Sequence, residues 1–146
     1  MIHNLSKCLL LTAFAILTFG CEKENLKDAD LTNNDWELES IEATQTNEMT
    51  EYPNDAPETI SIVFSDTSNI IGFNGVCNGG AGTYTLTNSS GGIEISNLIT
   101  TMVGCNYGEW ETYTLQSLHD AYSYEISGND LIIYSHGDYN LYFTTN

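Results

Sequence analysis

From residue 59 onward, apolar and polar residues alternate in short runs separated by turn-forming residues. In 59–65, for example, Ile60, Ile62 and Phe64 fall on one face, a period of two. Because successive side chains of a strand point to opposite faces, this rhythm predicts short β-strands. The predicted strands are 59–65, 70–74, 83–87, 93–98, 123–127, 131–135 and 139–144.

The segment 36–43 has a less regular rhythm. Trp36 and Leu38 share a face, but Ile41 falls one residue out of phase. A strand with a bulge explains this shift, and so does a short helix. We predict a strand here, followed by a long polar loop over 44–58.

The segment 75–82 contains four glycines around Cys77. Glycine adopts backbone shapes that other residues resist. We therefore predict a specialised turn over the whole of this segment rather than a strand.

Residues 109–122 change to a helical period. The residues that recur on one face are Trp110, Tyr113, Thr114, Ser117, Leu118 and Ala121. Glu109 and Glu111 fall in the first turn, where the helix dipole favours acids. The strands around this helix are short and joined by tight turns. We therefore predict an α+β domain: a curved, mostly antiparallel, open barrel-like sheet of about eight strands, with one helix inserted before the last three strands.

The first twenty residues predict export. Lys7 precedes an apolar run over 8–19, which is too short to span a bilayer but suits a signal-peptide core. The segment 17–21 resembles a bacterial lipobox, although its leucine is one place early and Phe19 is bulky. We expect cleavage before Cys21 and acylation of Cys21 (palmitate). The alternative is an ordinary signal peptide with an incidental Cys21.

This interpretation divides the chain into three parts: a lipoprotein signal peptide over 1–20, an acidic flexible tether over 21–34 and a folded domain over 35–146. Two or more acyl chains give a stable membrane anchor. The expected location is the bacterial cell envelope, at the outer membrane, with the lipid as the contact to the membrane.

The charge is strongly acidic, with 20 Asp and Glu against 3 Lys and no Arg. Nucleic-acid binding requires Lys and Arg to neutralise phosphates, so this composition excludes it. The simplest consequence of the charge is solubility and repulsion between copies.

Two cysteines remain for a disulfide if Cys21 is acylated. Export places Cys77 and Cys105 in an oxidising compartment, which favours a bond between them. Free thiols are one alternative. A metal site that adds His119 and His136 is another, but its spacing contains no CxxC or HxxxH element. We predict the disulfide, with no metal and no cofactor.

Catalytic motifs are absent from the sequence. Neither GxSxG nor HExxH occurs. His119 and Asp120 could form a catalytic couple, but adjacent helix positions point about 100° apart and do not face each other. We therefore expect no catalytic residues and no enzymatic activity.

The segment from about Trp36 to Phe143 resembles the META domain family of HslJ-like bacterial lipoproteins and heat-shock-linked proteins. The matching residues are Phe73-Asn74-Gly75-Val76-Cys77-Asn78, Gly82-Thr83-Tyr84, Ile95-Ser96, Thr100-Thr101-Met102, Cys105, Glu109, Leu115, Leu118 and Gly128-Asn129-Asp130-Leu131. One departure is Gly104, where alanine is expected. The resemblance implies a small α+β fold, no established catalytic residues and a loose link to envelope stress.

These observations predict a non-enzymatic envelope lipoprotein that binds an envelope protein or a small apolar ligand at the edge between helix and sheet. An exposed apolar or aromatic patch would support this function. A structural or stress-accessory protein without a defined ligand is the alternative, and a hydrolase or metal-binding protein is a more distant one.

Overall fold

The alternating segments fold into nine strands and one helix of 12 residues, as seen in a computed structural model that describes residues 30–32 and 34–145. The strands are β1 (Asp35–Ala43), β2 (Met49–Glu51), β3 (Ser61–Ser65), β4 (Ile70–Asn74), β5 (Gly79–Asn88), β6 (Gly92–Thr100), β7 (Ala121–Ser127), β8 (Asp130–Ser135) and β9 (Tyr139–Thr144). The helix α1 (Gly108–His119) lies between β6 and β7 in the chain, as predicted. No helix in the described part is long and apolar enough to cross a membrane.

Eight strands form a closed antiparallel barrel in the order β1, β3, β4, β5, β6, β7, β8, β9, with β9 pairing back onto β1. The predicted fold class is confirmed, and the barrel is closed rather than open. Closure depends on the length of β1. One of its edges pairs with β3 and then with the extra strand β2, while the other edge pairs with β9.

The segment 36–43, in which the spacing of apolar residues is irregular, forms a strand with a bulge. The register of β1 against β9 shifts between Leu38 and Ser40, so Glu39 has no register partner on β9. A bulge moves the following residues to the opposite face. Leu38 and Ile41 are therefore both buried, although their spacing is odd.

The pairing between β6 and β7 is the shortest of the strand pairings in the barrel. The two strands share one register pair, Gly92 with Ser123. Beyond Gly92, this edge of β6 has no strand partner among the described residues. Helix α1 packs against β6, β8 and β9, beside this unpaired edge.

The core consists of the inward-facing residues of the strands together with one face of α1. Its largest fully buried side chains are Trp36, Phe64, Phe73, Phe143, Leu31, Ile60, Ile62, Ile71, Ile93, Leu118, Leu131 and Ile133. Leu31 is part of this core although it precedes β1. Residues 30–32 form a helical turn, and the carbonyl of Leu31 accepts a 3.0 Å hydrogen bond from the indole N–H of Trp36.

This packing corrects the predicted boundary between tether and domain at residue 35. A buried indole N–H needs a hydrogen-bond partner, and Leu31 supplies it from within the segment expected to be flexible. The folded domain therefore includes residues 30–32. The predicted signal peptide, Cys21 and the first part of the tether lie outside the described residues.

The predicted turn over 75–82 is wrong in its second half. The turn occupies 75–78, where the N–H of Gly75 donates to the carbonyl of Asn78 at 2.7 Å, and β5 begins at Gly79. A side chain at Gly80 would collide with the carbonyl of Ile99 on β6. This glycine therefore permits close pairing of two strands rather than a turn.

Two other predicted bounds also change. The loop over 44–58 contains the three-residue strand β2, whose residues are all exposed. The helix ends at His119 rather than at 122. Asp120 adopts a non-helical C-cap conformation (φ −95°, ψ 11°), and Ala121 begins β7.

Candidate functional site

Cys77 and Cys105 form a disulfide, which confirms the predicted pairing. Their Cα atoms lie 6.3 Å apart, a separation that a disulfide spans. The bond joins the turn 75–78 to the segment that leads into α1. It therefore fastens the start of the helix to the barrel across 28 residues of sequence.

A buried carboxylate lies beside the disulfide. Glu111, in the first turn of α1, is only 3% exposed. Its Oε1 accepts hydrogen bonds from the backbone N–H groups of Cys77 (2.6 Å) and Asn78 (3.0 Å), and its Oε2 accepts one from the side-chain amide of Asn78 (2.5 Å). All three partners are N–H donors, so they suit an acceptor-only carboxylate.

The turn requires a glycine at position 75 because Glu111 occupies the adjacent space. A side chain there would collide with the Glu111 carboxylate and with the carbonyl of Asn78. The glycine thus lets the helix carboxylate reach the backbone N–H groups of the turn.

The side chain of Asn78 connects this carboxylate to the segment after β6. Its Nδ2 also donates to the carbonyl of Val103 (2.9 Å), and its Oδ1 accepts from the N–H of Val103 (2.6 Å) and the hydroxyl of Thr101 (3.0 Å). Both amide protons and both acceptor positions are then used. We refer to Cys77, Asn78, Cys105 and Glu111 as the disulfide cluster.

No Lys or Arg side chain can neutralise Glu111 within the described part of the chain. The three basic residues are Lys7, Lys23 and Lys27, all of which precede it. The negative charge is instead stabilised by N–H dipoles and by its place near the N-terminus of α1.

An open groove borders the disulfide cluster. One part, about 490 Å³, lies between the segment 100–105 and the first half of α1. A second part, about 340 Å³, continues between Leu98 on β6 and the second half of α1. Thr100 and Leu115 line both parts, so we treat them together as the helix–strand groove.

Two large apolar side chains in the lining of this groove are exposed. Met102 is 97% exposed and Val103 60%. Ile99 on β6 is 75% exposed, but it lies between the lining residues Leu98 and Thr100 and is not part of the lining. The other large apolar residues exposed in the described chain are Met49, Ile70 and Tyr122, at 42–48%. Asn78 holds the backbone of Val103 at two points, so this segment is fixed to the barrel while its side chains face solvent.

Trp110 lies on the face of α1 that is turned away from the groove and anchors the start of the helix. It is 7% exposed and packs edge-to-face against Tyr52, with ring centroids 5.3 Å apart. Burial raises the pKa of the Tyr52 hydroxyl above its usual value, and the nearby Glu111 carboxylate adds to the shift. This aromatic pair and the disulfide thus secure the first turn of α1 by separate contacts.

His119 contacts Asp120, and His136 contacts Tyr122. His119 Nδ1 and Asp120 Oδ1 are 2.9 Å apart, so the prediction that these side chains do not face each other is wrong. Asp120 lies outside the helix, as its C-cap, and helical geometry does not constrain it. The pair is exposed and lines the far end of the groove. His136 stacks on Tyr122, with ring centroids 4.3 Å apart.

Among the described residues, the side chains that could jointly hold a metal ion are Cys77, Cys105 and Glu111. Their ligand atoms lie within 4.8 Å of one another. Neither His119 nor His136 belongs to this group, so the four-ligand alternative is not assembled. In the disulfide the two sulfurs are bonded to each other and are not thiolate ligands.

The closed barrel, the helix before its last three strands and the disulfide define a small stapled β-barrel domain. A family model described as META domain matches residues 29–146, so the chain belongs to the META domain family. The resemblance carried by the residues around Cys77 is therefore confirmed.

Solved structures share this fold at low sequence identity. An NMR structure of a protein from Burkholderia xenovorans has a TM-score of 0.66 and 17% identity, covering 99% of this chain and 97% of that one. A crystal structure of a DUF4847 family protein from Bacteroides vulgatus has a TM-score of 0.64 and 13% identity, covering 82% and 97%. No curated protein matches this chain. These similarities show the fold alone.

Sequence reasoning missed Glu111 as a buried residue. It interpreted both acids of the first turn through the helix dipole. A signal was present, since Glu111, Thr114 and Leu118 follow an i, i+3, i+7 spacing and all three are buried. Asn78 carried no such signal, because its four side-chain hydrogen bonds depend on how distant segments meet.

Proposed function

We propose that this chain is a lipid-anchored module of the bacterial cell envelope that binds a protein partner at the helix–strand groove and has no enzymatic activity. The observation that carries the proposal is the exposure of the neighbouring residues Met102 and Val103 along the groove. Contiguous exposed apolar side chains are typical of interaction sites. A purely structural envelope protein has no need of such a patch.

The shape of the groove favours a protein segment over a small molecule. The groove is open along its length, whereas small-molecule sites bury most of their ligand. The unpaired edge of β6 beyond Gly92 can accept an added strand, and Leu98 and Leu115 can receive apolar side chains. A net charge of −17 favours a basic partner.

A hydrolase is the second candidate, because the His119–Asp120 hydrogen bond lies at one end of the groove. The rest of the lining supports it poorly. No serine lines the groove, and the sulfur of Cys105 is held in the disulfide. His119→Ala should therefore leave partner binding unchanged.

Replacing Met102 with serine should weaken partner binding about tenfold, the effect of losing one well-buried apolar contact. Met49→Ser is the matched control, because it also removes an exposed methionine but from β2. The measurement is capture from detergent-solubilised envelopes, with wild type and both variants side by side.

A discrete protein retained by wild type and Met49→Ser and lost by Met102→Ser supports the proposal. Equal recovery by both variants contradicts it. Recovery of a small apolar molecule and no protein would favour binding of a small ligand. Recovery of neither would favour a structural envelope protein without a defined ligand.

The anchor is supported by the lipobox-like segment 17–21 and is tested separately. Cys21→Ser should leave the protein extractable in aqueous buffer, because the acylation site is lost, while wild type should require detergent. Cys8→Ser, which removes a cysteine from the signal peptide, is the control and should leave anchoring intact. A Cys21→Ser protein that still requires detergent would contradict lipid anchoring at this residue.

A further inference from the structure

The disulfide cluster brings two sulfurs and a carboxylate to one point. The Sγ atoms of Cys77 and Cys105 and a carboxylate oxygen of Glu111 lie within 4.8 Å of one another. Zinc bonds to thiolate sulfur at about 2.3 Å and to carboxylate oxygen at about 2.0–2.2 Å in tetrahedral geometry, so its ligand atoms lie about 3.5–4 Å apart. In the disulfide the two sulfurs are bonded to each other at a shorter distance, so this spacing becomes accessible only when reduction lets them move apart.

Glu111 has features of a pre-oriented ligand. It is buried, and the part of the chain that contains it carries no Lys or Arg. Three N–H donors fix its orientation, which leaves about one of the four acceptor positions of a carboxylate free. Hydrogen bonds of this kind orient and tune carboxylate ligands in metal sites.

One end of the disulfide faces solvent, whereas Cys77 is half-buried. Cys105 is exposed, and the helix–strand groove opens beside it with Cys105 and Glu111 in its lining. A thiol reductant can therefore reach the Cys105 sulfur, and the groove can supply a water molecule as a fourth ligand.

We propose that reduction of the Cys77–Cys105 disulfide converts the disulfide cluster into a binding site for a thiophilic divalent cation of the Zn²⁺ class, with two thiolates and Glu111 as protein ligands. In the oxidised protein the same atoms form a covalent link and bind no metal. The site depends on the redox state and does not rest on the proposed partner binding.

The reducing step requires a dithiol. One thiolate of the dithiol attacks Sγ of Cys105, the S–S bond breaks, and Cys77 leaves as a thiolate. The second thiolate of the dithiol attacks the mixed disulfide and releases Cys105, so the dithiol becomes a cyclic disulfide and the protein gains two electrons and two protons. Binding of the divalent cation then displaces the two thiol protons.

The test uses the full-length chain carrying Cys8→Ser and Cys21→Ser, so that Cys77 and Cys105 are its only cysteines. Oxidised and reduced samples are titrated with Zn²⁺ by calorimetry. Cd²⁺ then replaces Zn²⁺ to record thiolate-to-metal absorption. We expect one equivalent bound by the reduced protein, none by the oxidised protein, and a higher melting temperature of the reduced protein when Zn²⁺ is present.

Two variants assign the ligands. Glu111→Gln should weaken Zn²⁺ binding by about tenfold or more, while Glu109→Gln, in the same helical turn but exposed, should leave it unchanged. If Glu111→Gln fails to fold, Cys105→Ser in the otherwise identical chain should abolish both binding and the Cd²⁺ absorption.

Three results overturn the proposal. A reduced protein that binds no stoichiometric Zn²⁺ shows that the cluster is a structural disulfide whose carboxylate only orders a turn. Equal binding by the oxidised protein assigns the metal to other groups. Unchanged affinity in a folded Glu111→Gln protein removes Glu111 from the ligand set.

Discussion

Replacing Cys77 or Cys105 with alanine should lower the free energy of unfolding by about 2–4 kcal/mol. The disulfide closes a loop across 28 residues and so restricts the unfolded chain, an effect of about 3–4 kcal/mol in the chain-entropy model. The melting temperature of a domain of this size should then fall by about 10 °C or more. Urea and thermal denaturation of the two single variants measure this loss.

The double variant Cys77→Ala/Cys105→Ala provides the control. Each single replacement already breaks the bond, so the double variant should be no less stable than the weaker single one. Additive losses would indicate two separately packed thiols. Mass spectrometry of the protein without reducing agent gives an independent check, and two free thiols at these positions would contradict the bond.

Glu111→Ala should lower the free energy of unfolding by a similar amount, about 2–4 kcal/mol. The change removes three hydrogen bonds to a buried carboxylate and leaves the N–H groups of Cys77 and Asn78 without their acceptor. It also removes one of the four hydrogen bonds that orient the Asn78 side chain, which holds Val103. Thermal denaturation measures the loss, and hydrogen exchange at Val103 should increase.

Glu109→Ala is the matched control for this prediction. It removes the same charge from the same helical turn, but Glu109 is exposed, so its loss should cost less than about 1 kcal/mol. Equal losses in the two variants would show that helix-dipole stabilisation, rather than the disulfide cluster, accounts for Glu111.

Most of the strands could be predicted because they bury one face; β2, whose three residues are all exposed, was not predicted. In β4 and β9 the buried residues alternate with more exposed ones (Ile71 and Phe73, Leu141 and Phe143), and the observed bounds equal the predicted ones. The bulge in β1 was also visible, because Ile41 could reach the core only if the register shifted by one residue.

Features that depend on contacts between distant segments could not be predicted. Closure of the barrel requires β1 and β9 to meet, and no local pattern encodes that pairing. Leu31 lies in a polar, acidic segment, and its burial depends on the indole of Trp36 being within reach. The same holds for Gly80, whose role is set by Ile99 on the neighbouring strand.

In the candidate site, too, only the features that can be inferred without knowing the contacts between distant segments could be predicted. The disulfide could be predicted from cysteine parity and export, since those arguments need no geometry. Glu111 and Asn78 could not be assigned to it, because their partners lie 23 or more residues away in the chain. The groove was anticipated only as an edge between helix and sheet. Its exposed side chains, Met102 and Val103, became evident from the structure.

The central proposal is that the exposed apolar side chains at the helix–strand groove contact a protein partner. The most direct measurement is photo-crosslinking in intact cells from a photoreactive residue placed at position 102, with the same residue at position 49 as control. The account predicts a discrete protein adduct from position 102 that is absent from position 49 and reduced by Glu111→Ala. No adduct from position 102, or the same adduct from both positions, would contradict it.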